Sequence, residues 1–117
     1  MLLVDDLRNA LREFARERDW EKFHTPKNLS MALAVEVAEL LEHFQWLEGS
    51  ESLELDAEKL AKVQEEIGDV LIYLVRLSDR LGVDPVHAAR QKLEQNKKKY
   101  PADVVRGSAK KYHEYGM

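Results

Sequence analysis

Apolar residues recur along this chain at intervals of three and four. Leu3, Leu7, Leu11 and Phe14 do so with charged residues between them, which predicts an amphipathic helix over roughly residues 3–17. The segment RDWEKFHTPKN that follows is polar and aromatic and ends in Thr25-Pro26, a capping residue followed by one suited to the first helical position. A second helix is expected from there to about Leu47. The stretch EGSESLELD reads as a loop, with Gly49 as the helix stop. Asp56 can cap a third helix of about 25 residues that continues to Leu81 and closes at Gly82. Asp84-Pro85 repeats the cap-and-proline signal and opens a fourth helix, which reaches Tyr100 before Pro101 ends it. From Ala102 to Met117 there is no clear period, and this part reads as a C-terminal tail.

Four helices with short connections predict an all-α fold, an antiparallel four-helix bundle formed by one domain over residues 1–117. The third helix is apolar nearly all round from Ile67 to Val75, more than a lone bundle of this size buries. That surplus predicts a homo-oligomer. Composition supports a helical globular chain, with 44% hydrophobic and 34% charged residues but only five Gly and three Pro. There is no cysteine, which excludes a disulfide framework, a zinc–thiolate site and a cysteine nucleophile, and fits a reducing compartment such as the cytoplasm. No run reaches the roughly 20 apolar residues of a membrane span, and MLLVDDLRN carries acids where a signal peptide is basic. A net charge of -4 argues against a duplex nucleic acid partner but leaves small phosphorylated ligands open.

The candidate chemistry lies where acids interrupt the apolar runs. In MALAVEVAELL the only charges are Glu36 and Glu39, and in EEIGDVLIYLVRL Asp69 stands alone between Ile67 and Val75. Glu36 and Glu39 are three apart, as are Glu66 and Asp69, so each pair shares a helix face. Carboxylates removed from water need a compensating cation. With oxygen ligands only, and no Cys or suitably spaced His, Mg²⁺ or Mn²⁺ is favoured. A di-iron bundle requires Glu-x-x-His pairs, and neither Glu39 nor Glu66 has one; His43 follows Glu39 by four. A hard cation flanked by carboxylates suits phosphoanhydride hydrolysis. The ordinary alternative is that E-x-x-E pairs are common on solvated helix faces.

Two further groups fit a nucleotide. Lys92, Asn96, Lys99 and Tyr100 follow a four-residue rhythm, and cations with an amide donor suit phosphates, although lysines late in a helix are also favoured by its dipole. Trp20, Phe23, Trp46 and Tyr73 could stack a base with His24 as polar reader, whereas residues such as Trp46 and Tyr73 more often mean a core or a subunit contact.

Taken together, DWEKFHTPKNL, EVAELLEHFQW, EEIGDVLIYLVRL and NKKKYP resemble the MazG-like branch of the all-α nucleoside triphosphate pyrophosphohydrolases, and within it the dCTP-cleaving members. The resemblance spans most of the chain, from Phe14 to the KKY near the C-terminus. It implies that Glu36, Glu39, Glu66 and Asp69 bind Mg²⁺, that Glu36 or Glu39, which spacing does not separate and of which Glu36 is the choice here, activates water, and that the α–β bond of a nucleotide such as dCTP or a modified dCTP is split. It maps a nucleotide pocket onto Trp20, Phe23, His24, Trp46 and Tyr73, and phosphate contacts onto Lys92, Asn96 and Tyr100. It further implies a homotetramer, a dimer of dimers with shared pockets. One departure stands out. Relatives preferring dCTP carry a His near the position of Leu11, so selectivity here is open, with dUTP or a damaged purine triphosphate as alternatives. A helical interaction module with merely structural acids is the rival outside enzymes.

Overall fold

A computed structural model describes residues 3–108, and all their regular elements are helical. In order these are α1 (Val4–Glu17), a 3₁₀ turn (Glu21–Phe23), α2 (Pro26–Glu42), α3 (Gly49–Ser52), α4 (Ala57–Arg80), α5 (Pro85–Lys99) and α6 (Ala102–Val105). The four long helices occupy the four predicted stretches. The starts of α2, α4 and α5 are set by the expected caps. Thr25 Oγ1 accepts from the Asn28 N–H at 3.2 Å, Asp56 Oδ1 from the Lys59 N–H at 2.7 Å, and Asp84 Oδ1 from the Val86 and His87 N–H groups at 2.9 and 3.1 Å. At the end of α4, Gly82 takes φ 69° while the N–H groups of Gly82 and Val83 bond back to Asp79 and Ser78. Only a residue without Cβ adopts that turn freely.

Two boundaries differ from the expectation. The second helix stops at Glu42 instead of Leu47, because residues 43–47 tighten into turns in which the Phe44 and Leu47 N–H groups reach the carbonyls only three residues back. Gly49 does not end a helix but opens α3. Glu48 is its cap, with its N–H donating to Glu51 Oε1 at 2.9 Å, a reciprocal cap that glutamate rarely signals in sequence. The predicted tail likewise begins with one turn of helix, α6, and its KKY segment lies outside the described residues.

The chain divides into two compact units, Met1–Val83 and Asp84–Met117. In the first, α4 is the central element, packing along α2 and, less extensively, against α1. Among the described residues its fully buried apolar side chains are Ala15, Leu29, Val63 and Val75, one or two from each of these helices. This is a thin core. On α4, Leu60, Ile67, Leu71 and Leu74 follow a helical stripe that stays exposed. In the second unit α5 ends at Tyr100, whose N–H donates to the Asn96 carbonyl at 2.8 Å.

One polar tie fastens α1 to α4. Arg12 donates through Nε and Nη2 to the two oxygens of Asp79, at 2.7 and 2.5 Å, and Arg76 approaches the same carboxylate at 3.5 Å. The Asp79 side chain is 10% exposed and that of Arg76 5%. Hydrogen bonding to Arg12 above all holds the Asp79 carboxyl below its usual range. A carboxyl lowered by folding contributes stability above its unfolded pKa and loses it as pH falls through the folded value. Asp79→Ala strands the buried Arg76 charge and is expected to cost about 3 kcal/mol in urea unfolding at neutral pH. Arg12→Met, which leaves Asp79 its Arg76 partner, should cost clearly less; equal losses would refute this division of roles.

Candidate functional site

Three of the four acids predicted to act together, Glu36, Glu39 and Glu66, are brought together by the α2–α4 packing. The helical repeat sets Glu36 and Glu39 on one face of α2, and Glu66 and Asp69 on one face of α4. One carboxylate oxygen from each of Glu36, Glu39 and Glu66 lies within 4.8 Å of the other two. Asp69 stands outside that mutual set, yet its charge acts on both Glu36 and Glu66. Burial and mutual repulsion have their expected effect. The Glu36 carboxyl is pushed up to about 7, first by burial, then by hydrogen bonds shared with Glu39 and Glu66 and by the charges of Glu39 and Asp69. Glu66 is raised too, again mainly by burial, with the Glu36 hydrogen bond opposing.

Two oxygens of this cluster, Glu36 Oε2 and Glu66 Oε2, are buried and accept no hydrogen bond. Buried acceptors are nearly always satisfied, so a pair of orphans among converging carboxylates fits a bound hard cation. Among the described residues the donor set is oxygen throughout, which suits a hard cation.

Beside the acids lies a cavity of about 310 Å³, the size of a small-molecule site. Leu11 and Phe14 of α1 form its apolar wall, with Trp20 and His24 from the α1–α2 connection. From α4 come Asp69, Ile72, Tyr73 and Arg76. Asp69 therefore belongs to both the acid cluster and the cavity. The Trp20 ring meets Phe14 edge-on at 5.6 Å and His24 at 6.4 Å, while the Arg18 guanidinium stacks over Phe14 at 3.8 Å. These contacts hold Trp20 in place at the rim.

His24 is the polar hinge of this wall. Its carbonyl accepts from Arg80 Nε and its Nδ1 from Arg76 Nε, both at 3.1 Å. Burial, followed by the charges of Arg76 and Arg80, lowers its pKa, so the ring is neutral at pH 7. With Nδ1 accepting, the proton is assigned to Nε2.

Of the predicted pocket residues, Trp20, His24 and Tyr73 line the cavity. Phe23 and Trp46 do not, and Trp46 is 87% exposed. Lys92, Asn96 and Tyr100 lie in the Asp84–Met117 unit, spaced for one face of α5, with Lys92 exposed and the other two half-buried. Arg76 was missed. Its signal was its place three residues after Tyr73 and seven after Asp69, a cation on the face that carries both.

The acid cluster yields a test that needs no substrate. A carboxyl raised by folding contributes stability that is complete below its unfolded pKa and lost as pH rises through the folded value. The metal-free protein is therefore expected to lose stability from about pH 4.5 to about pH 7 through Glu36. At pH 8, Mn²⁺ or Mg²⁺ at saturation should raise the melting temperature by roughly 5 °C. Glu36→Gln should melt higher than wild type without metal and gain nothing when it is added. A full metal response in that variant would remove Glu36 from the site.

Comparison with known proteins gives this geometry a context. The sequence model of the MazG-like family matches residues 31–115, which contain all four acids. The chain is 47% identical over 111 residues to rat dCTP pyrophosphatase 1, covering 93% of this chain, and 46% identical over 113 residues to the human protein of that name, covering 95%. It spans 65% and 66% of the length of these two relatives. Among solved structures, a pyrophosphatase from Archaeoglobus fulgidus matches with a TM-score of 0.79 and 47% identity, over 83% of this chain and 91% of that one. A family match across most of the sequence, relatives near half identity and a shared all-helical fold together mean that the chain belongs to the MazG-like family.

Proposed function

We propose that the protein hydrolyses a nucleoside triphosphate, dCTP or a modified dCTP, to the monophosphate and pyrophosphate. The observation that carries this reading is that the carboxylates and the aromatic cavity meet at Asp69. A base held in the cavity leaves its phosphates directed at the acids. The names of the relatives, dCTP pyrophosphatase 1, supply the bond and the base.

Glu36, Glu39, Glu66 and Asp69 hold the cation, which we take to be Mg²⁺, with Mn²⁺ as substitute. When bound, it supplies neutralisation of phosphate charge. The chain's own residues orient the reactants. Trp20 and Tyr73 flank the base, and His24 presents a neutral N–H to it. Glu36, within hydrogen-bond range of both Glu39 and Glu66, accepts the proton of the attacking water. The water oxygen bonds to a phosphorus of the α–β linkage as that P–O bond breaks. Lys92, Asn96 and Tyr100 serve as phosphate contacts, and Phe23 and Trp46 join the pocket when a second copy of the chain is present.

That second copy belongs to the reading. The exposed stripe Leu60, Ile67, Leu71 and Leu74 is too apolar to face water in a lone chain. We take the protein to be a homo-oligomer, a tetramer built as a dimer of dimers, each subunit one four-helix bundle with residues 102–117 as its tail. Its place is the cytoplasm, where such an enzyme clears unwanted nucleotides. Among the described residues no helix is long and apolar enough to cross a membrane.

Product analysis against each common nucleoside triphosphate with Mg²⁺, scoring pyrophosphate apart from orthophosphate, is the direct test. Pyrophosphate plus dCMP from dCTP is expected, with Glu39→Ala folded and at least 100-fold slower, and with Lys92→Ala raising KM. Pyrophosphate from dUTP or a damaged purine triphosphate in preference to dCTP would redirect the substrate. No product at all would favour a helical interaction module. Sedimentation equilibrium checks the assembly: a tetramer is expected, and Leu71→Glu should dissociate it. A wild-type monomer at micromolar concentration would overturn it.

A further inference from the structure

Arg76 is the charged residue of the cavity for which the proposed hydrolysis gives no role. It is 4% exposed, and its donors are engaged or sealed. Nε donates to His24 Nδ1 at 3.1 Å, Nη1 approaches Asp79 Oδ2 at 3.5 Å, and Nη2 is closed off from solvent without a partner. Any effect of Arg76 on a bound molecule therefore passes through His24.

A tether alone does not explain the contact. Arg80, one turn further along α4, already holds the α1–α2 connection by donating from Nε to the His24 carbonyl at 3.1 Å. Asp79 already receives two short hydrogen bonds from Arg12, and the Arg76 contact is the longest of the three. What Arg76 adds is control of the ring. A neutral imidazole carries its proton on either nitrogen, and the two forms exchange donor for acceptor at each edge. A guanidinium offers no acceptor and keeps its protons, so Nε opposite Nδ1 makes Nδ1 the acceptor and leaves the ring proton on Nε2. The same contact opposes an imidazolium, whose Nδ1–H would face the Arg76 donor. Around the ring, burial and the charges of Arg76 and Arg80 from α4 disfavour the imidazolium, Glu21 of the 3₁₀ turn favours it, and Asp69 is the acid that shares the cavity wall. Nε2 points away from Arg76. Among the described residues nothing accepts from it, and it is not sealed from solvent as Arg76 Nη2 is.

We propose that Arg76 is a positioning residue, which holds His24 in the Nε2–H tautomer so that the ring meets the bound base as a donor only. An acceptor such as O2 or N3 of cytosine suits that edge, and an exocyclic amino group does not. The inference rests on the cavity being the base pocket of the proposed function. It explains a buried arginine in the α4 wall by the polar contact made from the α1–α2 connection, where α1 itself has only Leu11 and Phe14.

Side-chain ¹⁵N spectra give a readout that packing alone does not move. In the wild-type protein at pH 7, with the His24 signals identified by their loss in His24→Gln, the ring should show the Nε2–H form alone, and its Nε2–H resonance should shift when 2′-deoxycytidine is added. Arg76→Met leaves Asp79 both of its Arg12 bonds and the His24 carbonyl its Arg80 bond. There the ring should show a mixture of tautomers and titrate at higher pH than in wild type. By calorimetry without metal, deoxycytidine should bind Arg76→Met about fivefold more weakly than wild type, whereas Arg76→Met/His24→Ala should bind it no more weakly than His24→Ala alone. A wild-type ring with a proton on Nδ1, which needs no variant to fold, overturns the role of Arg76. So does a double variant weaker than His24→Ala by the full Arg76→Met factor, even where dCTP yields pyrophosphate. Failure of deoxycytidine to bind wild type, with the ring in the expected tautomer, overturns the base pocket and the proposal with it.

Discussion

Carboxylates gathered in an apolar setting are the constraint on which this protein turns. Glu36, Glu39 and Glu66 converge within 4.8 Å where α2 crosses α4, and two of their oxygens are buried without a partner. Burial first, then hydrogen bonds to and repulsion from its acidic neighbours, push the Glu36 carboxyl up to about 7. Such an arrangement lowers the stability of the chain alone, and in the proposed function it is what a divalent cation would relieve, repulsion and desolvation together.

The long helix α4 ties the parts together. Over 24 residues it supplies Glu66 and Asp69 to the acids, Asp69, Tyr73 and Arg76 to the cavity, and Asp79 to the tie with α1. These positions recur at three and four residues, so one face of one rigid helix carries them all. A shift of α1 relative to α4 would therefore alter the cavity and the Arg12–Asp79 bonds at once. The apolar stripe of the same helix stays exposed in the single chain, and the fully buried apolar core is correspondingly small.

Much of this is legible from residue spacing because it depends on local rules. Caps at Thr25, Asp56 and Asp84 and the left-handed turn at Gly82 are decided within a few residues of chain, and they stand where the pattern puts them. The failures were also local in kind. Glu48 caps α3 by a reciprocal bond that Glu seldom forms, and residues 43–47 tighten into turns while keeping the apolar period of a helix.

The sequence by itself determined that the chain is helical, where its long helices begin, and that four acids interrupt otherwise apolar faces, because helical periodicity and the cost of burying charge act through neighbours in the chain. Only the tertiary structure decided which of those acids come within reach of one another, and that Asp69 joins them to the cavity, since this depends on how α2 and α4 pack. It alone separated Trp20 and Tyr73, which line the cavity, from the exposed Trp46. Arg76 is the plainest case. In sequence it is one more arginine after an apolar run, and only the fold shows it buried, with Nε on His24, 52 residues away, and Nη2 without a partner.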